Sequence, residues 1–226
     1  MERRRIYLMR HGAVAYFDAD GRPVAPDDVP LTAEGRRQAQ AAGALLERTT
    51  LDRVISSDLP RAVETATIVA PRHDVEAWPE LREIAGDRFS AIPPDELERE
   101  FVGALHGIVP NDKRFLGGET IGELLDRTLP PLARLREDPS WRTVLLVLHG
   151  GVNRALLSHA ITAGGRAFFG HLAQATGCIN ALDVGAKSSD WVVRMLNYSP
   201  PTPLFRDVRH TTMEMLYSQY LRYRGT

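Results

Sequence analysis

Two apolar runs in this chain end in the same pair of residues. Arg5-Ile6-Tyr7-Leu8-Met9-Arg10 leads into His11-Gly12, and Thr143-Val144-Leu145-Leu146-Val147-Leu148 leads into His149-Gly150-Gly151. Both runs have the length and apolarity of a buried strand. In open α/β sheets, ligands bind outside the carboxyl ends of the strands. Both imidazoles therefore belong on one rim, where they can face each other across a pocket. Arg10 directly precedes His11. Arg61 falls on the first turn of a helix that Pro60 starts, just after a short strand ending at Ser56-Ser57. Glu83 lies in Leu81-Arg82-Glu83-Ile84, after a third candidate strand from Val75 to Trp78.

Two imidazoles, two guanidiniums and a carboxylate suit phosphoryl transfer. The transferred group carries charge on three equatorial oxygens, so catalysis is mainly positioning and electrostatic stabilisation. Arginine forks match phosphate oxygens and stay charged at any working pH. A neutral imidazole is a competent nucleophile near neutrality. A carboxylic acid can protonate the departing alkoxide and later take a proton from water. A single histidine at a strand end is more often a hydrogen-bonded structural residue; two His-Gly strand ends argue for more. A zinc site is the rival use of two histidines, but no His-x-x-x-His pair or cysteine cluster supports one.

The elements that must position these residues read as follows. Thr32 looks like the N-cap of a helix running to about Arg48, after a polar loop from Asp18 to Pro30. Helices are expected from Pro60 to about Ala70, from Glu119 to Arg136 and from after His149-Gly150-Gly151 to about Ile161, with Pro130-Pro131 interrupting or kinking the second. Ile179 to Val184 and Trp191 to Leu196 look like two further strands. The run after Thr143 has no polar alternation, which marks a strand buried on both faces. The expectation is an α/β fold: a three-layer α/β/α sandwich, its mostly parallel central sheet covered by helices on both faces. One domain spans 1–226, with 85–118 as an insert or lid-like region and 198–226 as a tail. In that tail Thr211-Thr212-Met213-Glu214 has capping-box spacing. Met213, Leu216, Tyr217, Tyr220 and Leu221 follow on one helical face, expected to pack on the chain's own domain or on a partner, which leaves a homodimer open.

Composition narrows the function classes. A formal net charge of −1 gives no basic footprint for nucleic acid, so any positive site is local. No stretch has the apolar length of a membrane helix. The chain opens Met1-Glu2-Arg3-Arg4-Arg5 and then has only Ile6 to Met9 as an apolar run, too short for a signal-peptide core. With Cys178 as the one cysteine, best read as a small core residue, a cytoplasmic protein is expected.

The order of motifs resembles the histidine phosphatase superfamily, the phosphoglycerate-mutase-like fold. Leu8-Met9-Arg10-His11-Gly12 is similar to its Arg-His-Gly signature. Pro30-Leu31-Thr32-Ala33-Glu34-Gly35, Ser56 to Ala66, Leu81 to Ile84, Gly117-Gly118-Glu119-Thr120 and Val147 to Gly151 follow in the family's order. Arg-His-Gly alone is a weak signal; six ordered motifs are a strong one. The resemblance implies that His11 is the nucleophile and becomes phosphohistidine. It implies that Arg10, Arg61 and His149 hold the phosphate, with Gly12 and Gly150 at the binding site, and that Glu83 is the proton donor. No metal or organic cofactor is implied. The neighbouring Arg82, Glu80, Glu98 and Glu100 read as solvated charges.

The resemblance further implies a phosphomonoesterase, a phosphoric monoester hydrolase acting on a small phosphorylated metabolite. The alternatives are a phosphoglycerate mutase and a binding protein on a retired catalytic fold. The mutases carry a basic stretch between the acid and the second histidine, whereas the stretch from Phe89 to Phe115 here is acidic. Two departures bear on the substrate. Where the family has polar residues after Arg-His-Gly, this chain has Ala13-Val14-Ala15-Tyr16-Phe17, whose aromatics suit either a pocket wall or the core. After Glu83 the run is Ala85-Gly86-Asp87-Arg88-Phe89-Ser90, without the family's glycine pattern.

Overall fold

The two strands that end in histidine pair with each other in parallel at the centre of a six-stranded sheet. The structure is a computed structural model that describes residues 2–87, 92–205 and 208–225. The sheet order is β3 (Val75–Ala77), β2 (Arg53–Ser56), β4 (Thr143–Leu148), β1 (Arg4–Arg10), β5 (Ile179–Val184), β6 (Trp191–Tyr198). The first four strands run parallel, and β5 is antiparallel to both of its neighbours. Arg10 pairs with Leu148, so the register sets His11 and His149 side by side at the same sheet edge.

Residues of β1 and β4 alternate between two apolar layers, because successive side chains point to opposite faces. Ile6, Leu8, Val144, Leu146 and Leu148 face one layer, with α4 (Ile121–Glu137) and α5 (Gly150–Ile161). Met9, Leu145 and Val147 face the other, with α1 (Ala33–Leu46) and α2 (Pro60–Val69). Helices thus cover both faces, as the α/β/α expectation required. Each core Leu or Ile contributes roughly 1.5–3 kcal/mol by burial.

The expected break at Pro130-Pro131 is corrected. Helix α4 runs without interruption through both prolines. Leu124, Leu125, Leu132 and Leu135 on either side are all buried on the sheet, and that packing outweighs the two missing N–H donors. A capping box of Thr120 and Glu123 starts the helix.

A third apolar cluster joins the 85–118 segment to the tail. It contains Ile92, Leu97 and Phe101 of α3 (Leu97–Phe101) and its surroundings, with Leu116, and Met213 and Tyr220 of α6 (Thr212–Arg224). The expected stripe of α6 is therefore covered by the chain itself. Among the described residues no helix is long and apolar enough to cross a membrane. The departures from the family at Arg88, Phe89 and Ser90 lie outside the described residues.

Candidate active site

The sheet brings His11 and His149 to a ring-centroid distance of 5.1 Å, with their planes 61° apart. Both are fully buried, and a hydrogen bond fixes the tautomer of His11. His11 Nδ1 lies 2.7 Å from the carbonyl of Gly12, an acceptor only, so Nδ1 carries the proton and Nε2 keeps a lone pair. Ser57 Oγ accepts the Leu59 N–H at 3.1 Å and lies 2.7 Å from His149 Nε2, a contact in which either group can donate. Burial, reinforced by the charges of Arg10 and Arg61, pushes the His11 imidazole well below its usual pKa. Burial, with His11 and the same arginines, does likewise for His149. Both rings are neutral near pH 7.

Arg10 and Arg61 flank the imidazoles and are held in the same way. Arg10 Nη1 donates to Gln174 O at 2.6 Å and to Thr212 Oγ1 at 3.1 Å. Arg61 Nη1 donates to Pro26 O at 2.6 Å, from the loop that follows β1. In each case the Nε is buried and has no partner among the described residues. His11 Nε2 and His149 Nδ1 are likewise buried without a partner among them. Unpaired buried polar atoms are uncommon enough to call for an explanation. Here four of them gather at one strand edge: two arginine N–H donors, the His11 lone pair and the His149 Nδ1.

Glu83 approaches from the loop after β3. Its Oε1 accepts from Gly151 N at 2.9 Å and from its own neighbour Ile84 N at 2.9 Å, while Oε2 has a longer contact of 3.2 Å to Gly151 N. Arg127 of α4 clamps the loop behind it. The Arg127 guanidinium donates to the carbonyls of Glu80 and Arg82 at 2.7 and 2.9 Å and to the Glu119 carboxylate at 2.8 and 2.9 Å. Glu119 in turn accepts the Ala85 N–H at 3.1 Å. Arg82 is exposed and paired with Asp58, as a solvated charge. Glu80 pairs with Arg134 at the surface, but Glu100 is not simply solvated: it is half-buried against Lys113 at 2.8 Å.

All five residues singled out from the sequence, His11, His149, Arg10, Arg61 and Glu83, meet here. The glycines take different parts. Gly12 gives its N–H to Thr65 Oγ1 at 3.1 Å and its carbonyl to His11, so it holds the His11 ring and offers no free amide. A Cβ on Gly12 would stand 2.4 Å from Gly35 O, which accounts for glycine in both motifs. Gly150 heads α5, whose N-cap is His149, and adds the positive end of that helix to the pocket. The aromatic pair divides: Phe17 packs in the third apolar cluster, while the Tyr16 phenol faces Arg61, Arg10 and Glu83 electrostatically. Burial pushes its pKa up against the pull of the two arginines.

Sequence reasoning missed Ser57, Thr65, Thr212 and Arg127. Ser57 and Thr65 stood in a motif already quoted and Thr212 beside the tail's N-cap, without a role there; Arg127 gives no local signal. It also missed Arg154, buried beside Arg10 and bonded only to the carbonyls of Gly150 and Gly170 at 3.0 and 2.9 Å among the described contacts. Burial and the Arg10 charge bring its pKa down to about 10.

The model of the histidine phosphatase superfamily (branch 1) matches residues 6–198. This chain belongs to that superfamily. It is 36% identical over 150 residues to the probable phosphoglycerate mutase GpmB of Salmonella paratyphi A, a match covering 65% of this chain and 69% of that one. Among solved structures, the α-ribazole phosphatase of Shigella flexneri aligns with a TM-score of 0.67 at 28% identity, over 85% of this chain and 96% of that one. A mycobacterial glucosyl-3-phosphoglycerate phosphatase in complex with inorganic phosphate aligns with a TM-score of 0.69 at 25% identity, over 87% and 98%. The chain is thus a phosphatase- or mutase-type protein by family.

Proposed function

We propose that this protein is a phosphomonoesterase that hydrolyses a small phosphorylated metabolite through a phosphohistidine on His11. One observation carries the reading: the His11 Nε2 lone pair sits among three unpartnered nitrogens, the Nε–H groups of Arg10 and Arg61 and the His149 Nδ1, which is a donor when Ser57 gives its proton to His149 Nε2. A phosphoryl group in transfer needs one in-line nucleophile and three donors for its equatorial oxygens.

The reaction follows from that arrangement. His11 Nε2 attacks phosphorus in line, a P–N bond forms and the P–O bond to the leaving group breaks. Glu83, protonated on the less encumbered Oε2, gives that proton to the departing oxygen. Water then enters on the same side, Glu83 takes its proton back, and the P–N bond breaks to release inorganic phosphate and restore His11. The phosphatase names of the two structural neighbours support hydrolysis.

A mutase is the second reading, supported by the name of the 36% identical relative. Brief mixing with 32P-labelled phosphoester tests the mechanism, and a panel of phosphoesters with and without a bisphosphoglycerate primer separates the two activities. The expected result is an acid-labile, base-stable label that His11→Ala abolishes, with primer-independent release of phosphate. Turnover of His11→Ala near that of wild type sinks the assignment. Release that depends on primer selects the mutase, and an inert protein selects the retired binding fold.

A further inference from the structure

We propose that the C-terminal helix α6 is a working part of the phosphate site, and that Thr212 is the positioning residue that aims the Arg10 fork. The proposal rests on the reading of Arg10 as a phosphate ligand. The superfamily model ends at residue 198, so α6 lies beyond the part of the chain that the family accounts for. It nevertheless reaches the centre of the site. Thr212 is the first residue of α6, and its Oγ1 accepts from Arg10 Nη1 at 3.1 Å across 202 positions of sequence.

That hydroxyl has no local task to explain it. Capping belongs to the preceding residue: Thr211 Oγ1 accepts the Glu214 N–H at 3.2 Å, and the Glu214 carboxylate accepts the Thr211 N–H at 2.5 Å. The box fixes the start of the helix and so the place of Thr212. The far side of α6 is anchored independently. Tyr217 and Tyr220 lie 5.8 and 5.6 Å from the Phe101 ring, and Met213 is buried in the same cluster.

A guanidinium has two usable edges. Held at Nη1, it presents Nε and Nη2 as a side-on fork that matches two oxygens of one phosphate. Arg10 is held at Nη1 by Gln174 O and Thr212 Oγ1, and its Nε is buried and unpartnered. Arg61 repeats the scheme, with Pro26 O at Nη1 and an unpartnered buried Nε. Each fork is therefore aimed by a segment from outside the sheet: the loop after β1 for Arg61, and the tail for Arg10. With Thr212 removed, Gln174 O alone holds Nη1, and the plane of the Arg10 fork is free to swing.

Thr212→Val keeps the shape and removes the acceptor; Thr212→Ser keeps the acceptor. Inhibition by inorganic phosphate, kcat/KM for an alkyl and a nitrophenyl phosphate, and the melting temperature are measured for each. Thr212→Val is expected to weaken phosphate binding and kcat/KM by about tenfold. The loss falls equally on both leaving groups, because phosphate is held less well and proton donation is untouched. The melting temperature stays put, and Thr212→Ser stays within about twofold of wild type. Thr212→Ala carries the same expectation should valine unsettle the helix. Wild-type phosphate affinity in Thr212→Val and Thr212→Ala overturns the role of the tail alone. Failure of the wild-type protein both to bind phosphate and to hydrolyse any phosphoester overturns the phosphatase reading, and this proposal with it.

Discussion

Glu83 Oε1 lies 2.6 Å from where a Cβ on Gly151 would stand, and 2.9 Å from the Gly151 nitrogen whose proton it accepts. The missing side chain and the hydrogen bond are two halves of one device: glycine lets the carboxylate come close enough to be oriented by the first turn of α5. Gly151→Ala should favour the helix by up to about 1 kcal/mol on propensity alone. It should nonetheless displace Glu83, and Ile84 Cγ2 at 2.8 Å blocks the alternative place for the methyl group. The expected outcome is a loss of kcat on alkyl phosphates of about 100-fold, within the range for a lost general acid. Inhibition by inorganic phosphate should barely change. Steady-state kinetics with phosphate as inhibitor decide it, and wild-type kcat in Gly151→Ala would show that the carboxylate is not held this way.

Ser57 should set the tautomer of His149. If His149 donates to phosphate as proposed, the wild-type ring carries its proton on Nδ1 and Ser57 Oγ donates to Nε2 at 2.7 Å. In Ser57→Ala that preference is lost, so one donor to the phosphate is lost for part of the population. Phosphate binding should weaken by roughly tenfold, as for one hydrogen bond to a charged group. Nitrogen chemical shifts of the His149 ring report the tautomer directly. A wild-type ring protonated on Nε2 contradicts the assignment.

The two buried imidazoles also make stability depend on pH. Their pKa values are depressed in the folded protein and return to about 6.5 when it unfolds. Below that pH the unfolded chain takes up two protons that the folded chain does not. More protons on the unfolded state mean that stability rises with pH, so it falls as pH drops below 6.5, by about 1.4 kcal/mol per pH unit for each imidazole. Above about pH 7.5 the effect vanishes. Urea midpoints between pH 7.5 and 5 measure it, above the range where the arginine-paired carboxylates titrate. His11→Asn should halve the slope; an unchanged slope would mean that His11 is protonated in the folded state.

How much of this was legible in the sequence divides along physical lines. The strand ends, the helix starts at Thr32 and Pro60, and the capping box at Thr211 are local patterns, and the structure keeps them. His11 and His149 could be paired before the structure because two strands of like kind end in like residues. The contact of Arg10 with Thr212, the Arg127 clamp and the bond from Ser57 to His149 join residues that no period or spacing connects. The prolines of α4 show the reverse failure, where a sound local rule gave way to four buried leucines. The division of Tyr16 from Phe17 needed the third apolar cluster, which forms only when the tail folds back on α3.

The sharpest test of chemistry is Glu83→Gln, which keeps the size of the side chain and removes the transferable proton. The leaving group of an alkyl phosphate departs as a strongly basic alkoxide unless it is protonated. Nitrophenolate departs without help. Single-turnover phosphorylation of the enzyme by an alkyl phosphate should slow by about 100-fold or more in the variant, and by nitrophenyl phosphate far less. Steady-state rates alone would mislead, because in the proposed mechanism Glu83 is also the base that activates water, and dephosphorylation would then limit both substrates. A burst of nitrophenol followed by slow turnover is the expected sign of that second role. The amide that Glu83→Gln introduces can still accept the Gly151 and Ile84 N–H bonds through its oxygen, so the loop held by Arg127 should not move. An equal loss of the phosphorylation rate on both substrates would mean that Glu83 acts on the fold of the pocket and that the proton comes from elsewhere.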